Sequence, residues 1–186
     1  MDVIQKPSLC GEKSRKRIES QLDERIDSSP TELTSSQEAE VEQVLEMSEQ
    51  LASHGIEIDP WTEITLGKAA QLAGRTHSAQ QHYLRALETF RKSGDRQGEA
   101  DSLGNLGNIA QTRGDLAEAE RLYRESLTIE REIGNRQGEA ASLNNLAVFA
   151  ESRGDTDEQR RLNTEVVKIH REIGIPIDQW FIDNGY

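Results

Sequence analysis

Residues 94–103 read Gly-Asp-Arg-Gln-Gly-Glu-Ala-Asp-Ser-Leu, and 40 positions later residues 134–143 read Gly-Asn-Arg-Gln-Gly-Glu-Ala-Ala-Ser-Leu. The agreement continues beyond these stretches, because residues 94–134 and 134–174 are identical at 23 of 41 aligned positions. A weaker match at the same spacing extends back to about residue 60. A fixed period of about 20 to 50 residues indicates a supersecondary unit that is repeated and stacked. The sequence therefore predicts three repeats, at about 60–94, 95–134 and 135–174.

Each repeat contains two stretches of helical periodicity separated by a glycine. In the second repeat, Leu103, Leu106 and Ala110 recur at spacings of three and four, which places them on one face of a helix. Gly114 interrupts this pattern, and a second apolar stripe with the same period follows over residues 116–129. One antiparallel helix pair cannot bury both of its apolar faces, so neighbouring repeats must pack on each other. We expect an all-α fold, an α-solenoid of antiparallel helix pairs.

The small and aromatic residues of these pairs resemble the tetratricopeptide repeat, in the longer 40-residue variant found in kinesin light chains. The resemblance is carried by a Leu-Gly pair in the first helix, a glycine turn, and a small, aromatic, small pattern in the second helix. In the first repeat these residues are Leu66, Gly67, Gly74, Ala79, Tyr83 and Ala86; in the second they are Leu106, Gly107, Gly114, Asp115, Ala119, Tyr123 and Ser126. The resemblance implies a right-handed superhelix with a concave groove lined by the first helices.

The third repeat departs from the family pattern in its second helix. Gln159, Asn163 and Val166 occupy the small, aromatic and small positions there. A polar residue at a packing position is tolerated where the next repeat is missing, so this helix is expected to be the last of the array. The following residues 175–186 are expected to fold back as a C-terminal cap. The alternative is an exposed aromatic patch, beginning at Trp180, that recruits a partner or a second copy.

The N-terminal end of the chain differs from the repeats. Residues 38–54 carry an apolar stripe of helical period and are expected to form a capping helix or, alternatively, the second helix of a preceding half-unit, so that the repeat domain spans residues 38–186. Residues 1–37 contain few large apolar side chains and predict a disordered or partly helical tail. Within this tail, residues 12–26 have one row of apolar side chains and form at most a marginal helix.

Composition narrows the possible partners and the location. The formal net charge of -12 repels a phosphate backbone, so we expect no nucleic acid partner. A mean hydropathy of -0.75 and the lack of about 20 consecutive apolar residues predict no membrane span. The single Cys10 cannot form an intramolecular disulfide, and no apolar signal core precedes it, so a cytoplasmic location is expected. The preference for arginine over lysine points to a prokaryotic source.

The sequence contains no recognisable catalytic or metal-binding constellation. Its four histidines lie far apart, and the nearest pair, His77 and His82, does not have the spacing of four that stacks metal ligands on a helix. Acidic and basic residues alternate along the helices, a pattern that we interpret as solvated charge. We therefore predict a noncatalytic protein without a cofactor or a metal.

The resemblance also assigns a set of side chains to the concave groove. These are Thr65, Lys68, Asp101, Asn105, Asn108, Asn144, Asn145 and Val148. A side-chain amide both donates and accepts, so Asn105 and Asn145, one repeat apart, can hydrogen-bond the backbone of an extended peptide; alternatively they bond neighbouring helices or water. The predicted partner is a peptide segment or a protein. The alternative function is a regulatory sensor or a scaffold subunit that forms homo-oligomers through the aromatic C-terminal end.

Overall fold

The computed structural model describes residues 35–55 and 57–186, so the predicted tail up to residue 34, with Cys10 and the helix proposed for 12–26, lies outside the described residues. Within those two ranges the chain forms eight helices and no strands. The helices are α1 (Ser35–Ser53), α2 (Pro60–Leu72), α3 (Thr76–Ser93), α4 (Arg96–Thr112), α5 (Leu116–Ile133), α6 (Arg136–Ser152), α7 (Thr156–Ile173) and α8 (Gln179–Asp183). Contacts divide the chain into two compact units, Met1–Thr89 and Phe90–Tyr186, with the division inside α3.

Short polar and glycine signals fix where the helices begin and end. The side chains of Asp95, Asn135 and Asp155 each accept a hydrogen bond from a backbone N–H three residues later, which caps α4, α6 and α7. Gly134 and Gly174 follow α5 and α7 with φ of 69° and 73°, a left-handed conformation that only glycine adopts without strain. Because these signals recur every 40 residues, the repeat is reproduced in the helix boundaries.

The first unit contains α1, α2 and most of α3. α1 packs against α2, with Leu45 and Ser48 on its buried face. A Cβ atom on Gly67 would overlap the ring of the fully buried Tyr83, so the Leu-Gly pair of the family pattern exists to admit that ring.

A buried ionic cluster replaces two leucines in the first unit. Glu63 and His82 stand at the positions that Leu103 and Leu122 hold one repeat later. Glu63 Oε2 lies 2.6 Å from His82 Nδ1, and Oε1 accepts from Arg85 Nε at 2.8 Å. Burial raises the pKa of Glu63, but the hydrogen bonds with His82 and Arg85 outweigh it and hold that pKa below its usual value.

The second unit is built from two helix pairs, α4 with α5 and α6 with α7, and its core is formed where α5 also packs on α6 and α4 on α6. Here too the ring of a buried tyrosine, Tyr123, occupies the space that a Cβ on Gly107 would need. No helix among the described residues is long and apolar enough to cross a membrane.

Two glutamates of the second unit are clamped by arginines. Glu99 is buried, and it accepts hydrogen bonds from Arg91 Nε at 3.0 Å and from Arg96 Nη1. The same arrangement recurs 40 residues later around the buried Glu139. The interpretation of the charged residues as solvated is therefore wrong for these two carboxylates, because their pairing with arginine compensates for the loss of water.

Candidate functional site

Six of the eight predicted groove residues lie on two neighbouring helices of the second unit. α4 carries Asp101, Asn105 and Asn108, whose spacings of four and three put them on one face, and α6 carries Asn144, Asn145 and Val148. α4 and α6 are in contact. None of the six belongs to the buried core, and 46% of the Val148 surface is exposed. We call these six residues the α4–α6 face.

The asparagines of this face differ in how much hydrogen-bonding capacity remains. Asn105 Nδ2 donates to the Asp101 carbonyl oxygen at 2.8 Å, and Asn108 Oδ1 accepts from the Tyr123 hydroxyl at 2.7 Å. Asn144 and Asn145 make no side-chain hydrogen bond to any residue that the structure describes. Asn108 Oδ1 and Asn105 Nδ2 therefore have structural partners within the unit. The side-chain amides of Asn144 and Asn145 on α6 are available to a ligand.

The other two predicted groove residues lie on α2 in the first unit. Thr65 is half-buried, and its hydroxyl donates to the Trp61 carbonyl oxygen at 3.1 Å. Lys68 is exposed, and no described carboxylate pairs with it. Lys68 is thus a free cation, whereas Thr65 is committed to its own helix.

A cavity of about 540 Å³ adjoins the α6 end of the second unit. Asn144, Val148 and Glu151, at helical spacings of four and three, form the α6 wall. The C-terminal segment forms another wall through Trp180 and Phe181. The volume lies in the range of about 300 to 1,000 Å³ that is usual for ligand sites.

The third repeat lacks the tyrosine of the other two, and the residue in its place, Asn163, lines the cavity. In the second repeat the equivalent residue is Tyr123, whose hydroxyl oxygen lies 2.7 Å from Asn108 Oδ1 and 2.9 Å from Gln111 Oε1, so that its single proton is donated to one of these oxygens or shared between them. The third repeat has Asn163 in place of that tyrosine and Glu151 in place of that glutamine. Asn163 is shorter than the tyrosine that stands at this position in the other two repeats, and Ala147 carries a Cβ atom where the second repeat has Gly107.

Asn163 does not lack a packing partner, contrary to the expectation for a last helix. Its side chain is only 2% exposed, and Nδ2 donates to the Tyr186 hydroxyl at 3.1 Å. The partner comes from the C-terminal segment instead of from a following repeat. A polar residue is stable at this packing position because its amide is hydrogen-bonded.

The C-terminal segment holds a cluster of three aromatic rings. Trp180 stacks on Tyr186 with centroids 6.0 Å apart, and Phe181 meets Trp180 edge-on at 5.2 Å. Phe181 is 8% exposed and Trp180 46% exposed. The side chain of Asp178 accepts from the Trp180 backbone N–H at 2.8 Å, which fixes the start of α8.

Three polar groups that line the cavity have no hydrogen-bond partner among the described residues. The carboxylate of Glu151 and the amide of Gln159 have no hydrogen-bond partner among the described residues, and His170 Nδ1 is buried without one. Two lining residues, Glu151 and Asp178, are acidic, and no lysine or arginine lines the cavity. Nothing in the described part of the chain groups three or more His, Cys, Asp or Glu side chains as a metal site.

The carboxyl group of Glu130 on α5 is buried beside the α4–α6 face. Glu130 is 2% exposed, and a Cβ on Gly138 would overlap its carboxyl group. Burial, and next the charge of Asp101, raise the pKa of Glu130 to about 7 against weaker opposing hydrogen bonds from Asn135 and Gln97. Phe90 holds this position in the first repeat.

Sequence reasoning placed Asn144 and Val148 in the groove, but it did not predict the cavity that these two residues line together with α7 and the C-terminal segment. The available signal was the set of positions at which the third repeat breaks the 40-residue pattern, namely Glu151, Asn163 and His170 in place of Gln111, Tyr123 and Glu130. Each substitution was visible, but the pattern does not show that all three face one space.

Comparison with known proteins supports the repeat assignment. The family model for the tetratricopeptide repeat matches residues 58–132 and, in an overlapping second match, residues 98–172, which together make up more than half of the chain. No protein of curated function matches this sequence.

Among solved structures, the crystal structure of BtubC (BKLC) from P. vanneervenii is similar, with a TM-score of 0.65 and 20% sequence identity. The similarity covers 86% of this chain and 63% of that chain, so this chain spans less than two thirds of it. At this identity the likeness bears on the fold alone. The predicted all-α fold of repeated helix pairs is confirmed. The chain therefore belongs to the tetratricopeptide repeat family.

Proposed function

We propose that this protein is a noncatalytic interaction module that binds a peptide segment or a partner protein on the α4–α6 face. Tetratricopeptide repeats generally mediate protein–protein interactions and are typically noncatalytic scaffolds. The observation that carries the proposal is the pair of unpartnered amides, Asn144 and Asn145, next to the exposed Val148.

The chemistry of this face suits an extended peptide. The amides of Asn144 and Asn145 offer both donors and acceptors to the N–H and C=O groups of a peptide backbone, whatever its sequence. Val148 supplies apolar contact, and Asp101 on α4 supplies a negative charge. Affinity then comes from the backbone contacts, and selectivity comes from the side chains that the face admits.

The proposal is tested by selecting displayed peptides on the full chain and measuring their affinity by fluorescence anisotropy. We expect an Asn144→Ala, Asn145→Ala double variant to lose about tenfold in affinity, as one or two hydrogen bonds are lost. The control variant, Thr128→Ala with Thr164→Ala, removes two exposed hydroxyls that bond only within α5 and α7. Equal affinities for the two double variants would place peptide binding outside the α4–α6 face.

The exposed part of the aromatic cluster favours one alternative function, self-assembly through the C-terminal end. Trp180 is half-exposed, and Ile182 beside it is 55% exposed. Sedimentation at increasing concentration tests this alternative. A mass that rises with concentration in the wild type, and stays monomeric in a Trp180→Ala variant, would favour assembly over the binding of a separate partner.

A further inference from the structure

We infer that the cavity beside α6 receives an arginine side chain of the bound partner. The inference rests on the proposed function for the presence of a partner, and it specifies the chemistry of that partner. The third repeat has no tyrosine at the position of Tyr83 and Tyr123, and two acidic side chains line the cavity there.

The third repeat lacks the hydroxyl donor that the tyrosine supplies in the first two repeats. In the first and second repeats a tyrosine hydroxyl donates to the glutamine at the equivalent place, Gln71 at 3.2 Å and Gln111 at 2.9 Å. In the third repeat that acceptor is Glu151, and no described donor reaches it. The first two repeats thus have a neutral glutamine that accepts from a tyrosine of the same repeat, whereas the third has an acidic residue, Glu151, that no described donor reaches. A hydrogen-bond donor from a ligand can therefore bind to Glu151.

The charged residues that line the cavity are acidic. Glu151 and Asp178 line the cavity and no lysine or arginine does, so the formal charges that line it are negative. A cationic donor gains from these charges, and hydrogen bonds between a cation and a carboxylate are about twice as strong as neutral ones. A phenol that simply took the place of the lost tyrosine would make only a neutral donor bond.

The aromatic lining of the cavity suits a planar cation. The aromatic residues Trp180 and Phe181 and the apolar Val148 line the cavity. A planar guanidinium stacks on an aromatic ring and donates two parallel hydrogen bonds to a carboxylate, whereas the compact ammonium of lysine does not do both. Arginine is therefore favoured over lysine.

The test titrates the full chain with Nα-acetyl-L-arginine amide and follows the indole N–H of Trp180 and the backbone amides by NMR. The neutral isostere, Nα-acetyl-L-citrulline amide, is titrated in parallel. We expect saturable shifts in the millimolar range for the arginine probe and affinity at least tenfold lower for citrulline. Absence of saturation with the arginine probe, or equal binding of both probes, would overturn the inference.

Two variants assign the binding to the cavity. Glu151→Gln restores the residue that the other repeats have, so it is expected to fold, and it should weaken the arginine probe at least tenfold. The matched control Asp157→Asn removes an exposed carboxylate on α7 and should change affinity less than twofold. Ala147→Gly with Asn163→Tyr rebuilds the tyrosine arrangement of the second repeat, fills the cavity and should abolish binding. Unchanged binding in either cavity variant contradicts the assignment.

A third probe, Nα-acetyl-L-tyrosine amide, tests the competing occupant, because tighter binding of tyrosine than of arginine would show that the cavity takes a phenol. These titrations need no partner protein. Failure of the arginine probe therefore leaves the peptide selection on the α4–α6 face intact, and failure of that selection leaves the titration interpretable.

Discussion

The buried carboxyl of Glu130 makes the stability of the second unit depend on pH. Its side chain is 2% exposed, its Oε2 has no hydrogen-bond partner among the described residues, and its pKa is raised from 4.5 to about 7. A carboxyl with a raised pKa in the folded state favours folding while it is protonated. That contribution is fully present below pH 4.5, where both states are protonated, and is lost as pH rises through about 7.

The size of the effect follows from the difference between the two pKa values. Each pKa unit corresponds to about 1.4 kcal/mol, so the loss between pH 4.5 and pH 8 amounts to about 3 kcal/mol. A Glu130→Gln variant cannot ionise and keeps the shape of the side chain against Gly138. We therefore expect the variant to gain stability relative to wild type as pH rises, by about 2 to 3 kcal/mol at pH 8 compared with pH 5.

Urea unfolding followed by circular dichroism at pH 5, 6, 7 and 8 measures this difference. The comparison between wild type and variant removes the contributions of all other titrating groups, which the two proteins share. Glu57→Gln is a suitable control because Glu57 is exposed, and its effect should stay within about 0.5 kcal/mol at each pH. A wild-type minus Glu130→Gln difference that is constant from pH 5 to pH 8 would refute the reasoning.

Three further substitutions test the packing that surrounds the site. Gly107→Ala should cost about 1 to 3 kcal/mol in unfolding free energy, because the added Cβ overlaps the Tyr123 ring, and it should cost less in a Tyr123→Asn background, which reproduces the pair of the third repeat; an equal cost in both backgrounds would contradict the overlap. Glu139→Ala should cost about 1 to 3 kcal/mol at low salt by urea unfolding, since two arginines lose a buried partner, and a loss under about 0.5 kcal/mol would count against the clamp. Phe181→Ala should lower the melting temperature by several degrees while Ile182→Ala, at an exposed site, should leave it nearly unchanged; equal shifts would argue against a buried role for Phe181.

The helices and their pairing were predictable because the same helix-forming pattern recurs in each repeat of the sequence. The 40-residue period, the Gly-Asp turns and the apolar spacing each indicate the same boundaries, so an error at one repeat is corrected by its neighbour. The need for Gly107 opposite Tyr123 was also visible as a family resemblance. The structure adds the reason, which is that the ring occupies the place of the missing Cβ.

The clamped glutamates and the cavity were not predictable, for a physical reason that they share. Helical periodicity reports neighbours three and four positions apart, whereas Arg91 contacts Glu99 and Glu125 at separations of 8 and 34 residues. Likewise, Asn163 bonds Tyr186 at a separation of 23 residues, across a turn outside the repeat. Contacts of this kind depend on how helices pack, and the spacing along one helix carries no information about them.

The α4–α6 face and the cavity are joined by two residues, and this constrains how a partner can bind. Asn144 and Val148 belong to the face and also line the cavity. A peptide whose backbone is held by the Asn144 and Asn145 amides thus passes the cavity opening, and one of its side chains can enter while the backbone stays on α6. The two proposals then describe one ligand, with the amides binding any backbone and Glu151 selecting an arginine at one position. Peptides selected on the full chain should accordingly carry an arginine at a fixed position, and peptides selected on the Glu151→Gln variant should lose that preference while still binding. Selected sequences without such an arginine would separate the cavity from the peptide-binding face.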